Sequence, residues 1–158
     1  AAGVAIQLMF RYPSEPDLAE VLSPTAREEL EHFEKVLYLL KDLGHSLKTL
    51  KPSPYGAELA KCIRKEEPNR MLDSFLIAGL IEARSHERLS LLALNSEHKP
   101  LKLLYESLLE SEARHFGIYW KLAQTKFSKD QTLQRLEELS KTETKILSQT
   151  FSLPRVHS

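Results

Sequence analysis

Residues 100–127 read PLKLLYESLLESEARHFGIYWKLAQTKF, and this stretch decides the fold class of the chain. The residues of one face recur at spacings that alternate between four and three: Leu101, Tyr105, Leu108, Glu112, His115, Tyr119 and Leu122. This spacing is typical of an amphipathic helix that packs in a bundle. At about 1.5 Å per residue, such a helix is roughly 40 Å long. The stretch therefore predicts a long bundle helix with two polar residues, Glu112 and His115, on its buried face.

Prolines divide the rest of the chain into further helical stretches. Ser23 as an N-cap before Pro24, and Gly44 as a C-terminal stop, predict one helix that ends at Leu43. We expect no proline inside a helix, because proline lacks the amide proton that a helix interior requires. The other expected elements are an apolar helix within residues 1–10, a short helix at 53–64, a long helix at 68–94 and a polar helix after Ser128.

The predicted fold is all-α, because no stretch of useful length alternates between apolar and polar residues as a strand does. The long stretches suit a four-helix bundle. The segment around the short helix is then a crossover connection, and the polar helix after Ser128 is an additional C-terminal helix.

Length and composition favour one domain over residues 1–158. The chain has 22 Lys plus Arg and 22 Asp plus Glu, so its formal net charge is zero, which disfavours a general DNA-coating protein. The apolar run at residues 75–81 is far shorter than the ~20 residues that cross a bilayer. A single cysteine, Cys62, cannot form an intrachain disulfide, which fits a reducing compartment. We therefore expect a cytoplasmic protein without a DNA or membrane partner.

Three of the predicted helices carry carboxylates on their buried faces. Glu29 and His32 lie one turn apart on the apolar stripe of the helix that ends at Leu43, as Glu112 and His115 do in their own helix. Glu82 follows the most apolar run of the chain. Buried carboxylates that converge need a cation, and a Glu and a His at positions i and i+3 can reach one metal ion. The sequence therefore predicts a metal site formed by these five residues.

Ordinary ion pairs are the alternative interpretation of these carboxylates. Two Glu-x-x-His matches are weak evidence by themselves, and it is their place on core-facing stripes that favours metal. Without a metal, nearby arginines would neutralise the carboxylates, and the chain would be a metal-free helical interaction module. The arginines concerned are Arg27, Arg84, Arg88 and Arg114.

Four stretches carry a resemblance to known proteins: AREELEHFEKVL (26–37), LIEARSHERL (80–89), LLESEARHFGIYWKLA (108–123) and PRVHS (154–158). They resemble the ferritin-like di-iron carboxylate proteins and, among these, the tRNA hydroxylases that act on 2-methylthio-isopentenyladenosine beside the anticodon. The resemblance implies a non-haem di-iron monooxygenase that hydroxylates the isopentenyl group of a modified tRNA, with dioxygen as co-substrate and an external electron donor. It also implies that Glu29 and Glu112 bridge two irons, and that His32, Glu82 and His115 are terminal ligands.

One ligand of the family pattern has no counterpart in this sequence. The pattern requires a Glu from the first helix, whereas residues 1–10 contain no carboxylate and Glu15 lies in a proline-rich loop. We therefore expect an N-terminal truncation just before Ala1. The activity of a chain shortened in this way does not follow from the resemblance.

A basic cluster in and around the crossover segment is the candidate surface for tRNA. It comprises Lys48, Lys51, Lys61, Arg64, Lys65 and Arg70. Lysine and arginine side chains bind backbone phosphates, and we take Lys61, Arg64 and Lys65 as the candidate tRNA contacts. A solvated charged face is the alternative.

Two further functions are compatible with the predicted fold and metal site. One is a ferritin-like protein that handles iron or scavenges peroxide. The other is a di-iron oxygenase with a small-molecule substrate.

Overall fold

The computed structural model describes residues 2–49, 51, 53–149 and 156. These residues form no β-strand and six α-helices: α1 (Ala2–Arg11), α2 (Pro16–Asp42), α3 (Pro54–Ala60), α4 (Asn69–Asn95), α5 (Lys99–Lys126) and α6 (Lys129–Leu147). The predicted all-α class is confirmed. None of the described helices is long and apolar enough to span a membrane. Apart from Val156, the PRVHS stretch lies outside the described residues.

The start of α2 differs from the prediction. The helix begins at Pro16 rather than after Ser23, and Pro24 lies inside it. Pro24 is exposed, so the carbonyl one turn earlier, which loses its helical amide partner, can bond to water. On the other face, buried residues continue past the proline from Leu22 to Ala26. Burial of this face keeps the helix continuous across a residue that normally ends one.

Gly44 ends α2 as predicted. Its φ of 74° lies in the left-handed region, which glycine adopts without a Cβ clash. The Gly44 amide donates to the Lys41 carbonyl (2.9 Å), and the His45 amide donates to the Leu40 carbonyl (2.8 Å). These two bonds satisfy carbonyls that the end of a helix otherwise leaves without partners.

The crossover helix α3 is shorter than predicted. Ser53 caps its start, because the Ser53 hydroxyl accepts a hydrogen bond from the Tyr55 amide (3.3 Å). The helix nevertheless ends at Ala60. The amide of Arg64 donates to a carboxylate oxygen of Asp73 (2.8 Å) instead of continuing a helical ladder. The amides of Cys62 and Ile63 turn back to the carbonyls of Leu59 and Ala60 (2.9 and 3.2 Å) at the end of α3, and the bond to Asp73 holds the segment that follows.

The remaining predicted helices agree with the structure. The bounds of α4 and α5 differ from the prediction by one residue at each end. The hydroxyl of Ser128 accepts a hydrogen bond from the Gln131 amide (3.3 Å), which caps α6.

The chain divides into two compact units, and the division falls within α4 and α5. Unit 1 comprises Ala1–Leu50 and Leu89–Ser111, and unit 2 comprises Lys51–Arg88 and Glu112–Ser158. In unit 1, α1 packs against α2, and in unit 2, α3 packs against α6. The side chains buried on these four helices are Ala5, Leu8, Leu18, Leu22, Thr25, Ala26, Tyr55, Leu59, Thr132, Leu139, Glu143 and Ile146.

Candidate metal centre

Three of the predicted ligands lie together in unit 2. Glu112 and His115 are one turn apart in α5, and Glu82 is in α4. Each offers one ligand atom, a carboxylate oxygen or an imidazole nitrogen, and these atoms lie within 4.8 Å of one another. Glu82, Glu112 and His115 are 3%, 6% and 0% exposed, respectively. The structure thus brings these three residues into one buried cluster, and their binding of metal stays a prediction.

The donor atoms of this cluster fit a divalent metal ion. Two ionised carboxylates this close together in a buried environment repel each other unless a proton or a cation compensates. Carboxylate oxygens together with imidazole nitrogen are a ligand set that non-haem iron uses in proteins. Burial of all three side chains also keeps most water away from an ion bound there.

Gly79, one turn before Glu82, lies where α4 comes close to α5 within unit 2. A Cβ atom at Gly79 would lie 3.5 Å from Tyr119 Cβ and 3.7 Å from Phe116 Cδ2. These are ordinary van der Waals distances, so an alanine would fit. The small residue therefore marks where two long helices come close beside the cluster.

The other two predicted ligands, Glu29 and His32, lie on α2 in unit 1. Glu29 Oε1 and His32 Nδ1 are 3.6 Å apart, and both side chains are largely buried. On the other side of the ring, His32 Nε2 is 3.0 Å from Ser111 Oγ on α5. The imidazole of His32 is therefore held between a carboxylate and a hydroxyl group.

An open groove of about 400 Å³ lies next to Glu29 and His32 in unit 1. The rest of its lining is small or apolar and consists of Ala2, Gly3, Leu30, Phe33 and Val36. A groove lined in this way can admit an apolar group.

Glu143 of α6 is a buried carboxylate that accepts hydrogen bonds from two other elements of unit 2. The Tyr55 hydroxyl donates to Glu143 Oε1 (2.6 Å), and Arg84 donates to both carboxylate oxygens (3.2 and 3.3 Å). Arg84 also pairs with Glu87. Burial and the hydrogen bond to Glu143 raise the pKa of the Tyr55 hydroxyl, so Tyr55 stays protonated. Arg84, which the ion-pair alternative assigned to the predicted ligands, is thus paired with Glu143.

Arg64, one of the candidate tRNA contacts, is anchored on the buried carboxylate of Asp73. Its Nε and Nη2 atoms donate to the two oxygens of that carboxylate (2.9 and 2.8 Å), and Arg135 of α6 donates to the same two oxygens. Burial alone would raise the pKa of Asp73, but the hydrogen bonds from Arg64 and Arg135 outweigh it and lower the pKa. Asp73 is therefore ionised at neutral pH and connects α4, α6 and the segment after α3.

The two other candidate tRNA contacts, Lys61 and Lys65, are exposed. Lys61 Nζ pairs with Glu58 at 2.6 Å. An exposed pair of this kind contributes little to stability, so Lys61 can exchange its partner for a phosphate. Contact with tRNA stays a prediction for all three residues.

Comparison with known proteins identifies the family. Residues 1–158 match the family described as tRNA-(MS[2]IO[6]A)-hydroxylase (MiaE). The chain belongs to this family. The resemblance that the quoted stretches suggested is thereby confirmed.

Two curated relatives carry the name tRNA 2-(methylsulfanyl)-N(6)-isopentenyladenosine(37) hydroxylase. The relative from Pseudomonas putida is 39% identical over 123 residues, which cover 78% of this chain and 60% of the relative. The relative from Salmonella typhimurium is 37% identical over 98 residues, which cover 62% of this chain and 36% of the relative. The matched part thus spans less than two thirds of the length of either curated relative.

A solved structure from Synechococcus, described as protein 43 with aldehyde deformylating oxygenase activity, is similar in both sequence and fold. It is 55% identical to this chain, and the match covers 99% of this chain and 77% of the solved one, with a TM-score of 0.93. The likeness confirms the predicted ferritin-like helical bundle.

Sequence reasoning missed three residues that organise this family member: Ser111, Asp73 and Glu143. The sequence contains a signal for the burial of Glu143, because this residue lies one turn after Leu139 on the apolar stripe of α6. Ser111 directly precedes a predicted ligand but resembles any other helical serine. Asp73 had no local signal, because Arg64 and Arg135 meet it only in the folded chain.

Proposed function

We propose that this protein is a non-haem di-iron tRNA hydroxylase. It uses dioxygen, two protons and two electrons from an external donor. One oxygen atom is inserted into a C–H bond of the isopentenyl group on a modified adenosine beside the anticodon, and the other leaves as water. The observation that carries the proposal is the buried cluster of Glu82, Glu112 and His115 in a chain that matches a tRNA hydroxylase family over its whole length. A tRNA substrate implies a cytoplasmic protein.

In this proposal Glu29 and His32 would hold iron together with Glu82, Glu112 and His115, with the shared roles that the family resemblance implies for Glu29 and Glu112. The two Glu-x-x-His motifs have the same spacing, so each helix presents a carboxylate and an imidazole one turn apart. The 3.6 Å between Glu29 Oε1 and His32 Nδ1 supports this role, because one ion can then reach both groups. Bound iron would supply the reduction of dioxygen and the oxidation of the C–H bond.

The groove beside Glu29 and His32 suits the isopentenyl group. Leu30, Phe33 and Val36 are exposed, and an apolar group that lies against them would cover part of their apolar surface. A nucleoside that reacts in such a groove must first leave its base stack, as in other enzymes that act on nucleobases.

Lys61, Arg64 and Lys65 bind the tRNA backbone in this proposal. A guanidinium group has five N–H donors, so the bonds from Arg64 to Asp73 leave donors for a phosphate. The fixed position of Arg64 then orients the phosphate, while the exposed lysines add charge.

The first test combines metal analysis with a tRNA assay. We expect the unmodified protein to bind iron and hydroxylate the modified tRNA, and we expect Glu112→Gln to lose both properties, because the substitution removes a charged oxygen ligand. Iron is measured by mass spectrometry of the protein, and the product by nucleoside analysis of the tRNA. Glu106→Gln is the matched control, since Glu106 is an exposed residue of the same helix. Unmodified protein without iron, or Glu112→Gln with unchanged iron and activity, would contradict the proposal.

The second test addresses the tRNA surface. A double variant with Lys61→Gln and Lys65→Gln removes two exposed charges and leaves the bonds between Arg64 and Asp73 intact. We expect weaker tRNA binding and a shallower dependence on salt, by up to about two units of the logarithmic slope, with unchanged iron content. The control removes the exposed charges of Lys121 and Lys129. Equal affinity and slope in both double variants would show that the tRNA surface lies elsewhere.

Aldehyde deformylation is a second candidate function, favoured by the Synechococcus structure. That protein is described as having this activity, and its 55% identity to this chain is higher than that of either curated relative. Such a reaction would break the bond between an aldehyde carbon and its aliphatic chain: dioxygen, four electrons from a reductant and four protons are consumed, and the chain leaves as a hydrocarbon one carbon shorter, together with formic acid and water. The apolar groove suits an aliphatic chain as well as it suits an isopentenyl group.

A competition of substrates separates the two candidates. Iron-loaded protein with dioxygen and a reductant is given either the modified tRNA or a long-chain aldehyde, and products are identified by mass spectrometry. The tRNA proposal expects a hydroxylated nucleoside and no shortened hydrocarbon. The opposite result would assign the chain to the small-molecule oxygenases.

A further inference from the structure

Ser111 makes two hydrogen-bonding contacts through one hydroxyl group. Its Oγ donates to the carbonyl of Leu108, one turn earlier in α5 (2.8 Å), and lies 3.0 Å from Nε2 of His32. The side chain is buried. Both contacts lie within unit 1, where α2 provides the imidazole.

The protons of this arrangement can be counted. A serine hydroxyl has one proton and two lone pairs. A neutral imidazole has one N–H proton, which is on either Nδ1 or Nε2. Because the hydroxyl proton lies on the Leu108 carbonyl, the contact with His32 needs a proton on Nε2. A neutral His32 then has no proton on Nδ1, and the lone pair of Nδ1 lies on the side of Glu29.

The distance on the other side of the ring agrees with this count. A protonated Nδ1 facing a carboxylate would form a charge-assisted hydrogen bond of about 2.7–2.9 Å. The observed separation between His32 Nδ1 and Glu29 Oε1 is 3.6 Å, which is longer than a hydrogen bond. Nδ1 and the carboxylate are thus side by side without a hydrogen bond between them.

We propose that Ser111 is a positioning residue that fixes the tautomer and the ring orientation of His32, so that Nδ1 binds metal next to Glu29. The inference rests on the proposed function insofar as His32 is taken as a ligand. Groups that accept the second N–H of a metal-binding histidine orient the ring and raise its basicity. Here the acceptor is a hydroxyl whose own proton is held by the carbonyl of Leu108.

Ser107 offers a matched control on the same helix. Its hydroxyl also donates to the carbonyl three residues earlier, that of Leu104, at 2.8 Å, but the side chain is exposed. Ser107→Ala therefore removes the same kind of helical hydrogen bond as Ser111→Ala, at a position outside the His32 contact.

The first arm of the experiment measures the tautomer in metal-free protein. Long-range ¹H–¹⁵N correlation of the imidazole nitrogens distinguishes the two neutral forms from each other and from the doubly protonated ring. The signals of His32 are assigned by their loss in His32→Gln. We expect the Nε2–H form in the unmodified protein and in Ser107→Ala, and a mixture of both forms in Ser111→Ala. An Nδ1–H form in the unmodified protein would overturn the proposal.

The second arm measures affinity for Fe²⁺ and Co²⁺. We expect a loss of about 10- to 100-fold in Ser111→Ala, recovery in Ser111→Thr, which keeps a hydroxyl at this position, and no change in Ser107→Ala. Circular dichroism checks that each variant is folded, and Ser111→Thr keeps the test usable if Ser111→Ala is not. Equal metal affinity in folded Ser111→Ala and unmodified protein would also overturn the proposal.

The two arms separate this inference from the proposed function. If the unmodified protein shows the Nε2–H form but binds neither metal, the proposed function fails and the role of Ser111 as a metal-site residue fails with it. If metal binds and the tautomer differs from the expected one, the inference alone fails.

Discussion

In unit 2, the buried carboxylates of Asp73 and Glu143 each accept hydrogen bonds from arginine. In unit 1, by contrast, large apolar side chains remain in solvent, among them Phe10 at 81% and Leu94 at 76% exposure. Buried carboxylates that are paired with arginine are therefore a feature of unit 2, whereas most of the large exposed apolar side chains belong to unit 1.

The difference indicates where single substitutions have large effects. Removing such a carboxylate leaves partly buried arginine side chains without an acceptor that they donate to in the folded state. An exposed apolar side chain contributes little to the folding free energy, because it is in water in both the folded and the unfolded state. We therefore expect the stability of unit 2 to depend on its polar residues and that of unit 1 on its apolar contacts between α1 and α2.

The largest effect is expected for Asp73→Ala. The substitution leaves Arg64 and Arg135 without their shared carboxylate, although Arg64 is 40% exposed and Arg135 keeps its pair with Glu138, so the free energy of unfolding should fall by about 2–4 kcal/mol. Denaturant unfolding followed by circular dichroism measures the change. The control in unit 1 is Asp42→Ala, which removes an exposed carboxylate at the end of α2, where a negative charge is unfavourable. If Asp73→Ala lowers the unfolding free energy by less than about 1 kcal/mol, Asp73 does not stabilise the fold through its pairs with Arg64 and Arg135.

The same carboxylate makes stability depend on pH. The folded-state pKa of Asp73 is lowered from its ordinary value of 3.8, so its contribution is fully present above that value and is lost as the pH falls through the lower, folded-state pKa. The difference in unfolding free energy between the unmodified protein and Asp73→Asn should be constant above about pH 5 and shrink below about pH 4. A difference independent of pH over this range would show that the effect of Asp73 is not one of charge.

The next effect compares two tyrosines, one in each unit. Tyr55→Phe removes the hydroxyl that donates to buried Glu143, and we expect the unfolding free energy to fall by about 1–3 kcal/mol. Tyr38 lies on α2 and is mostly exposed, so Tyr38→Phe should have almost no effect. Equal effects of the two substitutions, measured by denaturant unfolding, would remove the contrast between the units.

The fold was largely predictable because its signals are local. Helix bounds follow from apolar spacing and from caps, and Gly44 and Ser128 act in the structure as the sequence predicts. Pro24 was misjudged because a propensity that ends most helices is outweighed by burial of the opposite face of α2. The path of the segment after α3 includes a bond between Arg64 and Asp73, which no local pattern contains.

The candidate site was predictable to the extent that it consists of repeated motifs. Glu112 and His115 could be predicted as ligands, because burying polar side chains on an apolar stripe costs free energy unless a partner such as a metal ion compensates it. Ser111 was not readable, because its importance depends on His32 of another helix. Spacing within a helix can thus be read from sequence, whereas contacts between helices require the structure.

A smaller pair of effects with opposite signs concerns two glycines. Gly44 has a φ of 74°, so Gly44→Ala in unit 1 should lower the unfolding free energy by about 1–2 kcal/mol. Gly117 lies exposed inside α5, and a Cβ atom there would meet nothing within 4 Å, so Gly117→Ala in unit 2 should raise it by about 0.5–1 kcal/mol. Thermal unfolding of both variants measures the changes. A destabilised Gly117→Ala would show that this position is covered in solution.

The smallest change in folding free energy is expected for a double variant with Phe10→Gln and Leu94→Gln. Both side chains are largely in water within unit 1, so the unfolding free energy should stay within about 0.5 kcal/mol. Self-association at high concentration, measured by sedimentation, should decrease, because exposed apolar side chains promote contact between molecules. Leu133→Gln, which removes an exposed leucine of α6 in unit 2, is the control. A loss of stability well above 1 kcal/mol in the double variant would mean that these side chains are buried in solution, and the contrast between the two units would then not hold.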